Sequence, residues 1–204
     1  MYNLIALLHV REGACDDVRC QVAELGAAVA PTMEGSFNGG NLIARFFLDD
    51  EAAYRTLRPN LDALIDGPDC VRADTAFYRP GKGQGGAGGE QDGPSIYRAL
   101  LLCADRPVPP AQRSRFDEEM VLMPKYIPAI RNWRYSPVIE ASGELGWTHV
   151  WEQEYDRVED LLGPYMTHPY HWAHIDRWFD PESPDWLVNT RLCHSFGTFN
   201  RPMI

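Results

Sequence analysis

The chain has 204 residues, of which 45% are hydrophobic and 24% are charged, a composition that supports a full globular core. Its formal net charge is −10 at pH 7, and the acidic excess is spread along the chain. An acidic surface repels phosphate backbones and anionic lipids, so nucleic acid and membranes are excluded as expected partners. The five cysteines include no CxxC pair, which favours reduced thiols and a cytoplasmic protein.

The first half of the chain predicts the order strand, helix, strand, strand, helix, strand. An apolar run at residues 2–10 indicates a strand, and apolar residues recur at helical spacing after it. Two extended runs flank the Asn-Gly-Gly sequence at residues 38–40, which is a strong hairpin signal. Acidic residues then open a helix over residues 49–65, and residues 70–78 form a closing strand.

Residues 81–95 are rich in glycine and polar side chains, which cannot bury apolar surface. We expect this stretch to be a flexible linker between two units. The predicted division is a degenerate ferredoxin-like half at residues 1–80, the linker at 81–95, and a half carrying the active site at 96–204.

The second half predicts the same order of elements. Its first strand is followed by a helix that opens with proline and breaks near Pro124. Two strands around a glycine-containing hairpin, a helical stretch and a last strand complete the unit. The order β-α-β-β-α-β defines a ferredoxin-like unit with one open sheet face. The predicted fold is therefore α+β, with tandem ferredoxin-like repeats forming an intramolecular dimeric α/β barrel.

The sequence YMTHPYHWAH at residues 165–174 holds three of the six histidines. Pro169 suits the first turn of a helix, where its missing N–H costs nothing. Tyr165 precedes this bend and His171 follows it, so we expect the phenol and the imidazole to lie close together. A neutral imidazole accepts protons near pH 7, and a phenol can orient it or polarise a substrate oxygen.

A strand at residues 147–153 carries further candidate ligand-binding residues. Side chains alternate along a strand, so Trp147, His149 and Trp151 are expected to share one face. A histidine between two tryptophans is suited to the wall of an aromatic-ligand site, and core packing explains the tryptophans equally well.

Two other interpretations of the histidines stay open. His168, His171 and His174 have the spacing HxxHxxH, and two of them with His149 could bind a metal, although HExxH is absent. Helix capping and core packing of aromatics would also account for the cluster. A catalytic pair of Cys193 and His194 is disfavoured, because neighbours on a strand point to opposite faces.

The second half resembles the stress-responsive dimeric α/β-barrel (Dabb) domain family. The matching sequences are GWTHVWEQEY, LLGPYMTHPYHWAHID and TRLCHSF, and the most specific is Tyr-x-x-His-Pro-x-His at residues 165–171. The family includes a plant polyketide cyclase that needs no cofactor or metal. The resemblance implies that Tyr165 and His171 form the catalytic pair and that His149 matches a binding histidine. The first strand offers Arg98 or Ala99 where that cyclase has a histidine.

The function expected from these features is a cofactor-independent lyase or cyclase, including decarboxylation or deformylation, acting on a small aromatic, phenolic or polyketide-like molecule. His171 is the predicted general base and Tyr165 its partner. The expected substrate-binding residues are His149, His168, Trp147, Trp151, Arg98 and Trp178. Alternatives are a non-catalytic aromatic-ligand-binding protein and a cofactorless oxygenase. Two such pseudo-dimeric chains could associate as a homodimer.

Overall fold

The computed structural model describes residues 1–85 and 93–204. The first repeat has six elements in the predicted order, β1 (Tyr2–Val10), α1 (Cys15–Glu24), β2 (Ala28–Pro31), β3 (Leu42–Leu48), α2 (Glu51–Ile65) and β4 (Cys70–Tyr78). The second strand lies at Ala28–Pro31, so the extended run expected directly before Asn38 is wrong. The strands of this repeat pair antiparallel in the order β2-β3-β1-β4. This order is the ferredoxin-like arrangement that the sequence predicts.

The second repeat has the same topology with a modified second helix. Its main elements are β6 (Ser95–Leu102), α3 (Pro110–Tyr126), β7 (Asn132–Ser142), β8 (His149–Tyr155), α4 (Val158–Asp160) and β9 (Cys193–Phe199). Two π-helical segments, Leu161–Tyr165 and Tyr170–Ile175, and a short 3₁₀ turn, Asp176–Trp178, replace the regular helix expected after β8. Within the described ranges, the helices are all too short or too polar to cross a lipid bilayer.

The two repeats join into one nearly closed antiparallel barrel. On one side β4 pairs with β7. On the other side, the backbone N–H of Met33 donates to the carbonyl of Phe196 at 2.9 Å, and Phe37 forms an isolated bridge with His194. Sheet order β7-β8-β6-β9 in the second repeat continues the order of the first. The fold is therefore the predicted α+β barrel of tandem ferredoxin-like repeats.

The predicted linker is partly a strand. Residues Lys82–Gln84 form β5, which pairs with Tyr135, Arg134 and Trp133 of β7. These three residues have backbone hydrogen-bond partners in the sheet, so they differ from the flexible chain expected there. Residues 86–92 of the linker lie outside the described residues, and the division of the chain into domains at this stretch stays a prediction.

Alternation along the strands divides the buried side chains into three cores. Tyr97, Ala99 and Leu101 of β6 face the barrel interior, where both repeats contribute side chains. Leu100 and Leu102 face the opposite way, against α3 and the helical segments that follow β8. A third core fills the equivalent space between sheet and helices of the first repeat. The second of these layers contains the candidate site.

Candidate active site

A cavity of about 200 Å³ lies between the sheet of the second repeat and its helices. Strands β6 and β9 supply its floor, and α3 and the two π-helical segments supply the opposite wall. An apolar cavity of about 150 Å³ is large enough to hold benzene, so this one fits a single substituted ring. The lining residues are Arg98, Leu100, Met120, Met123, Tyr165, Met166, His171, Ile175, Asp176, Phe179, Leu192 and His194.

Tyr165 and His171 meet at one wall of this cavity. Their ring centroids are 4.6 Å apart with an interplanar angle of 66°, and the residues are only 1% and 8% exposed. Tyr165 ends the first π-helical segment. The chain then turns at Pro169, and the backbone N–H of His171 donates to the carbonyl of His168 at 2.9 Å. The bend therefore brings together the phenol and the imidazole, as their spacing predicts.

Asp176 is a residue of the site that the sequence analysis did not identify. Its Oδ1 lies 3.3 Å from Nδ1 of His171, an ion-pair distance without hydrogen-bond alignment. A carboxylate beside Nδ1 favours the tautomer that carries its proton there and leaves Nε2 as the base. The two residues are five positions apart, and the i to i+5 repeat belongs to a π-helix. Reasoning with an α-helical period separates them, which is why the pair was missed.

Arg98 enters the cavity from the middle of β6 and is 4% exposed. Its guanidinium donates to the side-chain oxygen of Gln153 and, at 3.3 Å, to the hydroxyl of Tyr165. The guanidinium carbon also lies 5.1 Å from the Tyr165 ring centroid. The Nε atom of Arg98 is buried and has no hydrogen-bond partner. Of the predicted substrate-binding residues, Arg98 is the one that the structure places in the cavity with the tyrosine–histidine pair.

His194 is a second cavity residue that the sequence analysis missed. It lies on β9 opposite Leu100, while Cys193 faces the barrel interior. Burial lowers the pKa of His194 well below its usual 6.5, and the nearby guanidinium of Arg98 lowers it further. The imidazole is therefore neutral at physiological pH, and its buried Nε2 has no hydrogen-bond partner. Strand alternation had separated His194 from Cys193 correctly, but its approach to Arg98 depends on the pairing of β6 with β9.

The predicted tryptophans lie outside the cavity lining. Trp151 is buried in the core between the sheet and the helices, where it contacts Trp133. Trp178 is buried there too, and its Nε1–H donates to Glu119 at 2.8 Å. Trp147 packs in the barrel interior, so the expectation that it shares a face with Trp151 is wrong. Trp147 precedes the first residue of β8, and the alternation of a regular strand does not extend to it.

His149 and His168 also lie away from the cavity. His149 stacks on Tyr135 with ring centroids 5.0 Å apart, and its Nδ1 is 2.9 Å from the hydroxyl of Thr148. Burial lowers the pKa of His149 as well. The Nδ1 atom of His168 accepts the backbone N–H of Tyr170 at 3.1 Å, a contact that fixes the helix start. The described part of the chain contains no cluster of histidine, cysteine or carboxylate side chains arranged to hold a metal ion.

The second repeat is similar to a known protein family. Residues 96–189 match the family model of the stress responsive A/B barrel domain, and this span contains Arg98, Tyr165, His171 and Asp176. His194 lies beyond the matched span. A comparison of the sequence with curated proteins gave no significant match.

Solved structures with the same architecture span nearly the whole chain. An anthrone oxidase-like protein is 9% identical with a TM-score of 0.57, covering 97% of this chain and 90% of its own. A protein named as a candidate monooxygenase, from Lactobacillus acidophilus NCFM, is 11% identical with a TM-score of 0.53, covering 98% and 94%. A chlorite dismutase variant from Candidatus Nitrospira defluvii is 10% identical with a TM-score of 0.53, covering 98% and 91%. At these identities the similarity establishes the fold.

Proposed function

We propose that the protein is a cofactor-independent acid–base enzyme that acts on a small aromatic or phenolic molecule. The proposed chemistry is that of a lyase or cyclase, including decarboxylation and deformylation. The observation that carries the proposal is the contact between Tyr165 and His171 in a cavity that fits one substituted ring. The similarity of residues 96–189 to the stress responsive A/B barrel domain family supports a small-molecule site around this pair.

The contacts around the pair assign a role to each group. Asp176 lies beside Nδ1 of His171, so Nε2 is the atom that takes or returns a proton. The hydroxyl of Tyr165 accepts from Arg98 and keeps its own hydrogen for a substrate oxygen. In the buried cavity, such a donor stabilises a developing oxyanion more than it would in water.

Decarboxylation of a hydroxybenzoate illustrates the reaction class. Protonated His171 gives a proton to the ring carbon that carries the carboxylate. The bond from that carbon to the carboxylate then breaks, its electron pair restores the aromatic ring, and CO₂ leaves. The phenolic proton passes to His171, and the phenolate product takes a proton from solvent as it leaves, so no external electron acceptor is required.

A cofactorless oxygenase is the second candidate. Two proteins of the same fold carry the names anthrone oxidase-like protein and candidate monooxygenase. Removal of a phenolic proton by His171 would also activate an electron-rich ring toward oxygen. Oxygen consumption coupled to substrate loss distinguishes this reaction from a lyase or cyclase, which consumes none.

The experiment is an activity screen with a matched histidine control. Mono- and dihydroxybenzoates and phenols with a one-carbon side chain are incubated with the protein, and products, CO₂ and oxygen are measured. We expect His171→Ala to lower turnover at least about a hundredfold, the usual contribution of acid–base catalysis. His174→Ala removes an exposed histidine of the same segment that stacks on Tyr170, and it should retain activity.

Near-normal turnover by the His171 variant contradicts the assignment of the base. Binding of aromatic molecules without any product would indicate the alternative function, a ligand-binding protein. In that case Tyr165→Phe and His171→Gln should leave affinity nearly unchanged, because packing alone would be required of the two rings.

A further inference from the structure

The positive charge of Arg98 is buried without a compensating carboxylate. Within residues 1–85 and 93–204, its polar contacts are the neutral side chains of Gln153 and Tyr165. Two acidic residues flank Gln153 on β8, and both lie on the opposite strand face from it. Glu152 pairs with Arg45 at 3.0 Å, and Glu154 accepts from the side-chain amide of Asn132 at 2.7 Å. A buried charge of this kind is costly unless it is paired. An unpaired arginine side chain is therefore unusual beside a cavity that has only a structural role.

Two residues of the cavity carry polar atoms without hydrogen-bond partners. Nε of Arg98 and Nε2 of His194 are buried, and neither has a hydrogen-bond partner in the described part of the chain. Buried polar groups in folded proteins are nearly always hydrogen-bonded, and exceptions call for an explanation. The two atoms belong to residues that line the same cavity. A ligand with acceptor oxygens at the floor would satisfy the guanidinium and the neutral imidazole together.

The remaining wall determines what kind of anion fits. Met120, Met123, Ile175 and Phe179 are apolar, and they face the floor across a space sized for one ring. Inorganic phosphate would pair with the charge but leave this apolar surface uncovered. A neutral phenol would cover the surface but leave the charge unpaired, because a phenol ionises only near pH 10.

We infer that Arg98 and His194 form an anion subsite and that the ligand of this cavity is a small monocyclic aromatic carboxylate. The carboxylate binds the guanidinium and the imidazole at the floor, and the ring lies between the methionines and Tyr165. This orientation presents the substituted end of the ring to Arg98 and its face or edge to His171. As a statement about substrate, the inference rests on the proposed function; as a statement about binding, it is tested separately.

The test compares two ligands of the same shape and different charge. Benzoate and benzamide are titrated calorimetrically into the wild-type protein at pH 7, with inorganic phosphate as a third ligand. We expect benzoate to bind about tenfold or more tightly than benzamide, the usual contribution of charge-assisted hydrogen bonds. Arg98→Met should abolish this preference, whereas Arg157→Met, which removes an exposed arginine paired with Asp160, should retain it.

The ligand comparison in the wild type does not depend on whether the Arg98 variant folds, and circular dichroism checks the variant itself. Equal affinities for benzoate and benzamide, no benzoate binding at millimolar concentration, or phosphate binding as tight as benzoate would each overturn the inference. A preference that survives in folded Arg98→Met would do the same. Benzoate binding without turnover of any hydroxybenzoate would support the anion subsite and contradict the proposed enzymatic function. Turnover of neutral phenols without preference for carboxylates would support the proposed enzyme and overturn the anion subsite.

Discussion

The ion pair between Arg45 and Glu152 joins the two repeats through the barrel interior, and its removal makes a quantitative prediction. Arg45 lies on β3 and Glu152 on β8; they are 3.0 Å apart, and their side chains are 2% and 0% exposed. The hydroxyl of Tyr97 donates to the same carboxylate at 2.7 Å. Removing one member of such a pair leaves an uncompensated buried charge and costs about 3–5 kcal/mol.

We expect Arg45→Met and Glu152→Leu each to lower the free energy of unfolding by this amount. The urea midpoint should fall by about 2 M for an m-value near 2 kcal/mol per molar. Because the double variant leaves neither charge behind, it should lose much less than the sum of the single losses, with a coupling energy of about 2 kcal/mol or more.

The assay is urea unfolding at pH 7, followed by circular dichroism and tryptophan fluorescence. The exposed pair of Arg55 and Glu51, 3.8 Å apart on α2, is the control, and Arg55→Met should leave the midpoint unchanged. Additive losses in the double variant, or single losses below about 1 kcal/mol, would show that the pair is not the buried link between repeats described above.

Three further predictions concern the site and the turn before β3. Asp176→Asn should lower kcat about tenfold with little change in KM, because the Asp176 carboxylate acts only through the imidazole of His171. Steady-state kinetics measures both constants. The pKa of His194 is lower in the folded protein than in the unfolded chain. As pH falls below about 6.5, the unfolded chain takes up a proton at this histidine and the folded protein does not, so the free energy of unfolding decreases. His194→Gln should reduce this loss in urea titrations by up to about 1.4 kcal/mol per pH unit. Gly40→Ala should cost about 2 kcal/mol in thermal unfolding, because φ is +74° and the added Cβ meets the Leu8 carbonyl, whereas Gly146→Ala enters open space.

The sequence predicts the elements and the tyrosine–histidine contact because both depend on short chain distances. Alternation along β6 and helical spacing in α1 are local patterns, and they are enough to define the repeated topology. Tyr165 and His171 are six residues apart across a proline bend, so few conformations separate them. Their catalytic roles stay predictions, since geometry places the groups without measuring what they do.

The remaining parts of the site depend on information that no local pattern contains. His194 reaches the cavity of Arg98 through the register of β6 and β9, which pairs Leu100 with His194 across more than ninety residues of chain. Asp176 meets His171 because the local helix is a π-helix, and the sequence gives no direct signal for that widening. The prediction that Trp147 shares a face with Trp151 was wrong for the opposite reason, since the alternation of a regular strand was extended to a residue before the strand begins.

The difference between the two repeats suggests how a barrel of duplicated units comes to have one cavity of this kind. In the first repeat, α2 is a continuous α-helix of 15 residues that contains Pro59, and Tyr54 stacks on Phe77 at 3.8 Å to fill the space over the sheet. In the second repeat, π-helical turns occupy the corresponding layer and hold Tyr165 and His171 at the edge of a void. A π-helical turn is rarer than an α-helical one and occurs frequently at functional sites. The simplest physical account is that the wider turns prevent the close packing seen in the first repeat, so the same distortion opens the cavity and positions the side chains that face it.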